Sequence, residues 1–258
     1  MWLNLQALEQ QLRTEFTGRR LLYFTSASST QSLARREAEE DAPAGTVVVA
    51  EEQTAGRGRF GRAWVSPAGQ NLYLTLLLRP PLEKLRVLSM ATPLAVCLAI
   101  EDVAGVRGQI KWPNDVLLSG RKAAGILIES ELSGHQPRYS LVGIGLNVNS
   151  DPSADPEISG IATSVKLALG REVARETVLA AVLNQFERLY KGAASRVYAA
   201  WKAHLQTLGQ TVTVTLGGET FRGVARDVDS EGNLIVRGED GTVRTFEAGE
   251  VTLRPPER

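Results

Sequence analysis

The sequence predicts an α+β protein in two parts: a large domain of strands and helices over residues 1–206, then a small β-barrel over 207–258. Three features predict it. Short apolar or β-branched runs are interleaved with longer stretches of helical composition as far as Leu205. Beyond Thr207 the pattern turns to short alternating runs broken by Gly217-Gly218, Ser230–Asn233 and Glu239–Gly241, as hairpin strands require. The apolar fraction, 43%, supplies a substantial core.

Leu3–Phe16 reads as a helix with Leu5, Leu8, Leu12 and Phe16 on one face, and Leu21–Phe24 as a brief strand. The Ser/Thr cluster ending at Ser29-Thr30 is an N-cap signal for a helix over Leu33–Glu40. Those hydroxyls serve capping alone or also face a pocket. Thr46–Ala50 and Asn71–Leu78 are strands, and Glu83–Val103 is a long apolar helix. Gln109–Trp112 is a strand halted by Pro113. Val116–Leu118 and Ala124–Glu131 form a hairpin, and Tyr139–Val148 is a strand reached through Ser133–Pro137. Asp151–Gly160 is a surface loop. Ser164–Leu169 is a short helix, and Thr177–Leu205 is one long helix or two joined near Lys191–Ser195. Gln210–Leu253 supplies the barrel strands.

The 258 residues carry zero formal net charge, which argues against nonspecific nucleic-acid binding over the whole surface. The one cysteine, Cys97, lies in an apolar run and reads as a buried structural thiol. It allows neither an internal disulfide nor a cysteine-based zinc site. His135 and His204 are far apart in polar surroundings, which disfavours a Ser-His-Asp or Cys-His hydrolase. With no signal pattern at the N-terminus and no apolar run of about 18 residues, a cytoplasmic protein that makes no membrane contact is expected.

The chain is organised around Glu51–Arg62, EEQTAGRGRFGR, with three glycines and three arginines between Gly56 and Arg62. It has no apolar periodicity. Its glycines let backbone approach a ligand, and its arginines offer forked donors to phosphate or carboxylate. Gly56, Gly58 and Gly61 fit the dinucleotide-binding spacing, but a Ser-Pro turn and a strand follow where a helix is required. A kinase reading fails for lack of the HRD and DFG motifs. Lys111 and Lys122, with Arg57 and Arg59, suit a polyanion such as ATP. Lys111 alone is also consistent with a solvated strand end. Asn114 and Asp115 follow Pro113, either as a plain turn pair or as groups free to meet ligand or hydrated Mg²⁺. Gly125, Gly143 and Gly145 interrupt good strands, marking bulges or close approach of a ligand.

Four segments, AGRGRFGR, KWPND, GRKAAGI and GIGLNVN, stand in this order. Together they resemble the signatures of the biotin protein ligases over nearly the whole chain, from Phe24 to Arg254. The resemblance implies a mixed-sheet catalytic domain of the biotin/lipoate ligase type followed by a small SH3-like β-barrel. It also implies a two-step reaction. Biotin and ATP, with Mg²⁺, give biotinyl-5′-AMP and pyrophosphate; a lysine of a biotin carboxyl carrier protein then takes the biotin and releases AMP.

Residue by residue, the resemblance gives Ser29, Thr30 and Gln53 the biotin ureido ring. Arg57, Gly58 and Arg59 become the loop that closes over biotin and phosphate. Gly125, Gly143 and Gly145 fall at the biotin site. Lys122 matches the lysine at the reacting carboxylate and α-phosphate. Lys111 and Asp115 match residues of the reacting centre, Asp115 as an orienting group, an indirect Mg²⁺ ligand or an aid to the incoming amine. Trp64 matches an aromatic on adenine, Asn114 and Asn147 the amides at adenine's edge. Arg62 and the C-terminal Arg254 fall on the ATP side. The family often has Asn after the Ser-Thr pair, where this chain has Gln31.

Lipoate ligases share the fold and the adenylate chemistry but have a glycine-richer arginine motif and no KWPND. Lipoyl and octanoyl transferases need a catalytic cysteine in a context unlike that of Cys97. The alternative from another class is a DNA-binding biotin repressor. Its helix-turn-helix module needs more than the roughly 25 residues ahead of Ser29. A monofunctional ligase is therefore expected, monomeric or weakly dimeric, with no nucleic-acid partner.

Overall fold

A computed structural model describes residues 2–152 and 158–253. Its main sheet has seven strands: β1 (Leu21–Phe24), β2 (Val47–Ala50), β3 (Leu72–Leu78), β4 (Gln109–Lys111), β5 (Asp115–Leu118), β6 (Arg121–Ser133) and β7 (Gln136–Leu146). Their spatial order is β1-β2-β3-β7-β6-β5-β4. β1 and β2 run parallel and the other neighbours antiparallel, so the sheet is mixed.

Both faces of this sheet are covered, which is why VVVA of β2 and LYLTLLL of β3 are buried throughout. On one face lies α2 (Thr30–Glu39), packing Ala34 and Ala38 against Val48, Leu77 and Leu141. The other face carries α3 (Leu85–Ala104), backed by α1 (Leu5–Gln11), α5 (Arg175–Lys191) and α6 (Ala194–His204). The segment Leu82–Ala104 is long and apolar enough to cross a bilayer by composition, but α3 is a core helix here, with Leu88, Leu94, Val96 and Ile100 among its buried residues. α4 (Val165–Leu169) is a single short turn capped by the Ser164 side chain. The expected helix over 177–205 is two, breaking after Lys191 at Gly192-Ala193.

The N-terminal helix is shorter than its apolar spacing suggests. It stops at Gln11 because α5 side chains capture the backbone that would continue it. Asn184 accepts from Arg13 N and donates to Gln11 O; the Glu187 carboxylate accepts from the N–H groups of Glu15, Phe16 and Thr17. β6 and β7 are likewise longer than expected. The segment expected to carry the chain into β7 is instead a tight hairpin, Ser133 pairing with Gln136 across Gly134 at φ +62°.

Beyond Thr207, a second sheet is built from β8 (Thr211–Leu216), β9 (Glu219–Val228), β10 (Leu234–Gly238), β11 (Val243–Phe246) and β12 (Glu250–Leu253). It is antiparallel, in the order β11-β10-β9-β8-β12. Its Val212, Val214, Ala225, Leu234 and Val251 join the main core rather than forming a separate one. Trp112, joined to Pro113 by a cis peptide bond, is the joint. Its backbone N–H donates to Thr207 Oγ1 at 2.8 Å and its indole N–H to Gly232 O at 2.9 Å.

A buried ion pair fixes the entrance to the arginine loop. Arg175 Nη1 lies 2.7 Å from Glu51 Oε2, with side chains 6% and 1% exposed. Glu51 also accepts from Tyr23 OH and Leu3 N, while Arg175 donates to Asn71 O. One carboxylate thereby ties the N-terminal segment, β1, the exit of β2, the entry to β3 and α5.

Candidate active site

One row of paired residues crosses the whole main sheet: Phe24, Ala50, Tyr73, Gly145, Gly125, Asp115 and Lys111. Directly paired residues on neighbouring strands face the same side. Here that is the α2 side. A second row, Leu22, Val48, Thr75, Gly143 and Leu127, runs beside it on the same face. Above these rows opens a cavity of 310 Å³. It brings together every site residue read from the sequence except Arg254, which lies outside the described residues.

The arginine loop roofs the cavity as a folded turn. Arg57 bridges to Ala63, Gly58 N donates to Arg62 O at 2.7 Å, and Trp64 N donates to Gly56 O at 2.9 Å. A side chain at Gly56 would meet Trp64 O at 2.6 Å, so the turn closes only over glycine. Arg57 reaches Ser32 Oγ at 3.0 Å. Arg59 donates to Asn114 Oδ1 at 3.1 Å and to Gly249 O at 3.3 Å. Arg62 grips both oxygens of Glu250 at 2.6 Å. Two of the three arginines thus reach the second sheet.

Burial lowers the pKa of Arg59 against the opposing pull of Asp115 and Glu250. Burial also lowers that of Lys111; Asp115 works against it and Lys122 with it. Lys122 Nζ sits 2.7 Å from Asp115 Oδ1 and 5.3 Å over the Trp64 ring. Its backbone is pinned on both sides, donating to Ile161 O and accepting from Thr163 N, each at 2.8 Å. Several cations converge on a half-enclosed space with few carboxylates. Such a place favours an anion.

The strand glycines have a clear partner. Gly125 and Gly145 pair across β6 and β7, and Trp64 lies on both. A Cβ on Gly145 would sit 2.5 Å from the indole, and one on Gly125 2.9 Å from it. At Gly143 the intruder is Gln31, whose Oε1 would lie 2.7 Å from a Cβ. The strand register is unbroken at all three, so none is a bulge. The close approach expected of a ligand is made here by Trp64 and Gln31.

The polar end of the cavity is set by α2. Ser29 is the helix N-cap residue yet makes no side-chain capping hydrogen bond, so its hydroxyl is not committed to the helix. Gln53 Oε1 accepts from Thr30 N at 2.9 Å and lies 3.2 Å from Thr30 Oγ1, while Gln53 Nε2 donates to Ser66 Oγ at 3.1 Å. The amides of Asn114 and Asn147 are also engaged. Asn114 Nδ2 donates to Ile126 O, and Asn147 Nδ2 to Thr163 O.

Several lining residues were not singled out from the sequence. Thr75 had a signal, being the one threonine in the apolar run of β3. Ile158 and Ile161 lie in or beside a segment that reads as an ordinary loop, and Gly249 and Glu250 arrive from the second sheet; local sequence marks none of them.

Residues 22–147 match the Biotin/lipoate A/B protein ligase family, and residues 207–254 match the biotin protein ligase C terminal domain. The bifunctional ligase/repressor BirA of Bacillus subtilis is 37% identical over 244 residues, covering 92% of this chain and 75% of that protein. The biotin–[acetyl-CoA-carboxylase] ligase of Paracoccus denitrificans is 38% identical over 206 residues, covering 75% of this chain and 85% of that protein. Among solved structures, the Aquifex aeolicus biotin protein ligase in complex with biotin and ATP superposes with a TM-score of 0.77 at 31% identity, covering 92% of this chain and 99% of that one. A cation-rich cavity on a mixed sheet, four signature segments gathered around it, and relatives of this similarity over most of their length lead to one assignment: the chain belongs to the biotin protein ligases of the biotin/lipoate A/B protein ligase family.

Proposed function

We propose that this chain activates biotin with MgATP to biotinyl-5′-AMP and transfers the biotin to a lysine of a biotin carboxyl carrier protein domain. The observation that carries this reading is the Lys122 ammonium, held by Asp115 in a cavity that also gathers Arg57, Arg59, Arg62 and Lys111.

In the first step an oxygen of the biotin carboxylate attacks the α-phosphorus and pyrophosphate leaves. An anion approaches a polyanion, so the barrier is largely electrostatic, and fixed cations lower it. In this reading Lys122 meets the charge of the five-coordinate phosphorus. In the second step a lysine amine attacks the anhydride carbonyl, loses a proton, and AMP leaves. The same ammonium then faces the oxyanion. Ser29, Thr30 and Gln53 supply the hydroxyl and amide groups that match a cyclic urea, with its one carbonyl acceptor and two N–H donors. Trp64, Asn114 and Asn147, which also line the cavity, take the adenine in this reading.

Among the described residues no cluster of three His, Cys, Asp or Glu side chains could hold a metal ion. The residues fit Mg²⁺ arriving on the nucleotide, with Asp115 as the carboxylate that could meet its water shell.

Incubating the protein with biotin, MgATP and a carrier domain, read by intact mass, tests the reading. Gain of one biotinyl group on the carrier, dependent on both substrates, is expected. No mass gain with an acceptor that other biotin ligases modify would overturn it.

A further inference from the structure

Three large apolar side chains line the cavity and are more than half exposed: Phe60 at 62%, Val65 at 58% and Ile161 at 65%. A residue that does both stands at the mouth. Among the described residues, none of the three packs into either apolar core, so core packing gives no reason for hydrophobes at these positions. Phe60 carries a further cost. Its φ and ψ are 56° and 30°, a left-handed conformation that a bulky side chain rarely adopts. The loop nevertheless presents a phenyl ring there, with the Arg59 guanidinium 4.9 Å from its centroid. Strain of this kind beside a site points to a use for the residue that bears it.

The mouth opens on a cavity lined by Arg57, Arg59, Arg62, Lys111 and Lys122 against the carboxylates of Asp115 and Glu250. In the proposed second step a protein lysine has to pass this mouth to reach Lys122 and Asp115. That lysine is an ammonium at neutral pH, and the excess of positive charge repels it. Attraction between charges therefore cannot draw the acceptor in. Apolar contact is indifferent to that charge, and exposed apolar side chains bordered by polar ones mark a docking surface. A lysine side chain is short, so the residues on either side of it meet the rim when its amine reaches the reacting centre.

We infer that Phe60, Val65 and Ile161 form the docking rim for the carrier domain, and that this partner presents apolar side chains next to its acceptor lysine. The inference rests on the proposed ligase reading and names the surface by which the enzyme meets its protein substrate. The part of these side chains is confined to the second step: they recognise the acceptor and take no part in forming the adenylate.

The two steps can be read separately. Biotin-dependent exchange of pyrophosphate into ATP, without carrier, follows the first. Transfer to a carrier domain, and to the small amine methylamine, follows the second. Phe60→Asn suits the test because asparagine tolerates the left-handed backbone while removing the ring. It should leave exchange and transfer to methylamine within about twofold of wild type, since neither needs the rim. It should raise the KM for the carrier about tenfold, as the loss of one buried aromatic contact implies. Phe60→Leu, which keeps an apolar side chain, should restore most of the carrier KM. The near-isosteric Val65→Thr should shift the carrier KM in the same direction, and carries the expectation by itself if Phe60→Asn fails to fold. An unchanged carrier KM in both Phe60→Asn and Val65→Thr would overturn the inference. So would a fall in exchange that matches the fall in transfer, which would make the rim a cover for the adenylate. Either result leaves the ligase reading intact. Wild type that shows neither exchange nor transfer would overturn both.

Discussion

The Lys122 ammonium lies 2.7 Å from the Asp115 carboxylate, although Asp115 opens β5 and Lys122 follows the turn after it. The register pairs Lys122 with Leu117 and Asp115 with Gly125. The lysine side chain therefore leans along its own strand, over Gly125, to reach the acid. Gly125 has no side chain to stop it; a Cβ there would sit 3.3 Å from Lys122 Cε. The pair holds one cation over the sheet row that floors the cavity. The arrangement makes several outcomes measurable.

Lys122→Ala should retain the fold and lose most adenylate formation. Removing one preorganised charge donor typically costs on the order of 10²–10³ in rate. Pyrophosphate release with biotin and MgATP checks this, and turnover near wild type would place the charge stabilisation elsewhere.

Arg59→Ala should release the activated intermediate early and label bystander lysines. Arg59 spans from Asn114 to Gly249 and so closes the cavity between the two sheets. Three neighbouring arginines repel one another until anionic ligand neutralises them, so residues 56–62 should also exchange amide hydrogens more slowly with biotin and ATP present. Biotin found on added bulk protein, and hydrogen exchange across the loop, are the two measurements. Equal exchange in both states would show that the loop is not a ligand-driven lid.

Gly145→Ala should drive the Trp64 indole off the sheet. A Cβ at 2.5 Å cannot coexist with the ring as placed. Overpacking of this kind costs about 1–3 kcal/mol. Urea unfolding of Gly145→Ala, Trp64→Ala and the double variant forms a cycle. The double variant should recover most of the loss attributable to Gly145→Ala, and strict additivity would mean that the two do not conflict.

Stability should fall in acid partly through Glu51. Burial works to raise its pKa, but hydrogen bonds from Arg175, Tyr23 and the Leu3 N–H outweigh burial and leave it lowered. A lowered carboxylate contributes its full stability above the unfolded glutamate value and loses it as pH falls through the folded one. Glu51→Gln should thus flatten the dependence of the thermal midpoint on pH in the acid range. Arg175→Met should cost about 3–5 kcal/mol at neutral pH by stranding a buried charge. An unchanged acid slope in Glu51→Gln would assign the loss to other carboxylates, such as Glu187, which is held low by the backbone N–H groups of Glu15, Phe16 and Thr17 against the opposing effect of burial.

The sequence by itself located most of the strands, the long apolar helix and the change to short hairpin strands beyond Thr207, because apolar periodicity and turn residues are local signals. It also named many of the residues that line the cavity, but not Thr75, Ile158, Ile161, Gly249 or Glu250. Motif chemistry named Lys122, Asp115 and the arginine loop, and folding gathered them into one cavity. Tertiary structure decided the rest. The helix over residues 3–16 was cut at Gln11 by Asn184 and Glu187, which lie more than 170 positions away in sequence and leave no mark near the N-terminus. The glycines of β6 and β7 announced a close approach, but only the register shows that Trp64 and Gln31 are what approaches. The closure of Arg59 on Gly249 and of Arg62 on Glu250 joins residues 190 and 188 positions apart in sequence, so only the fold brings them together.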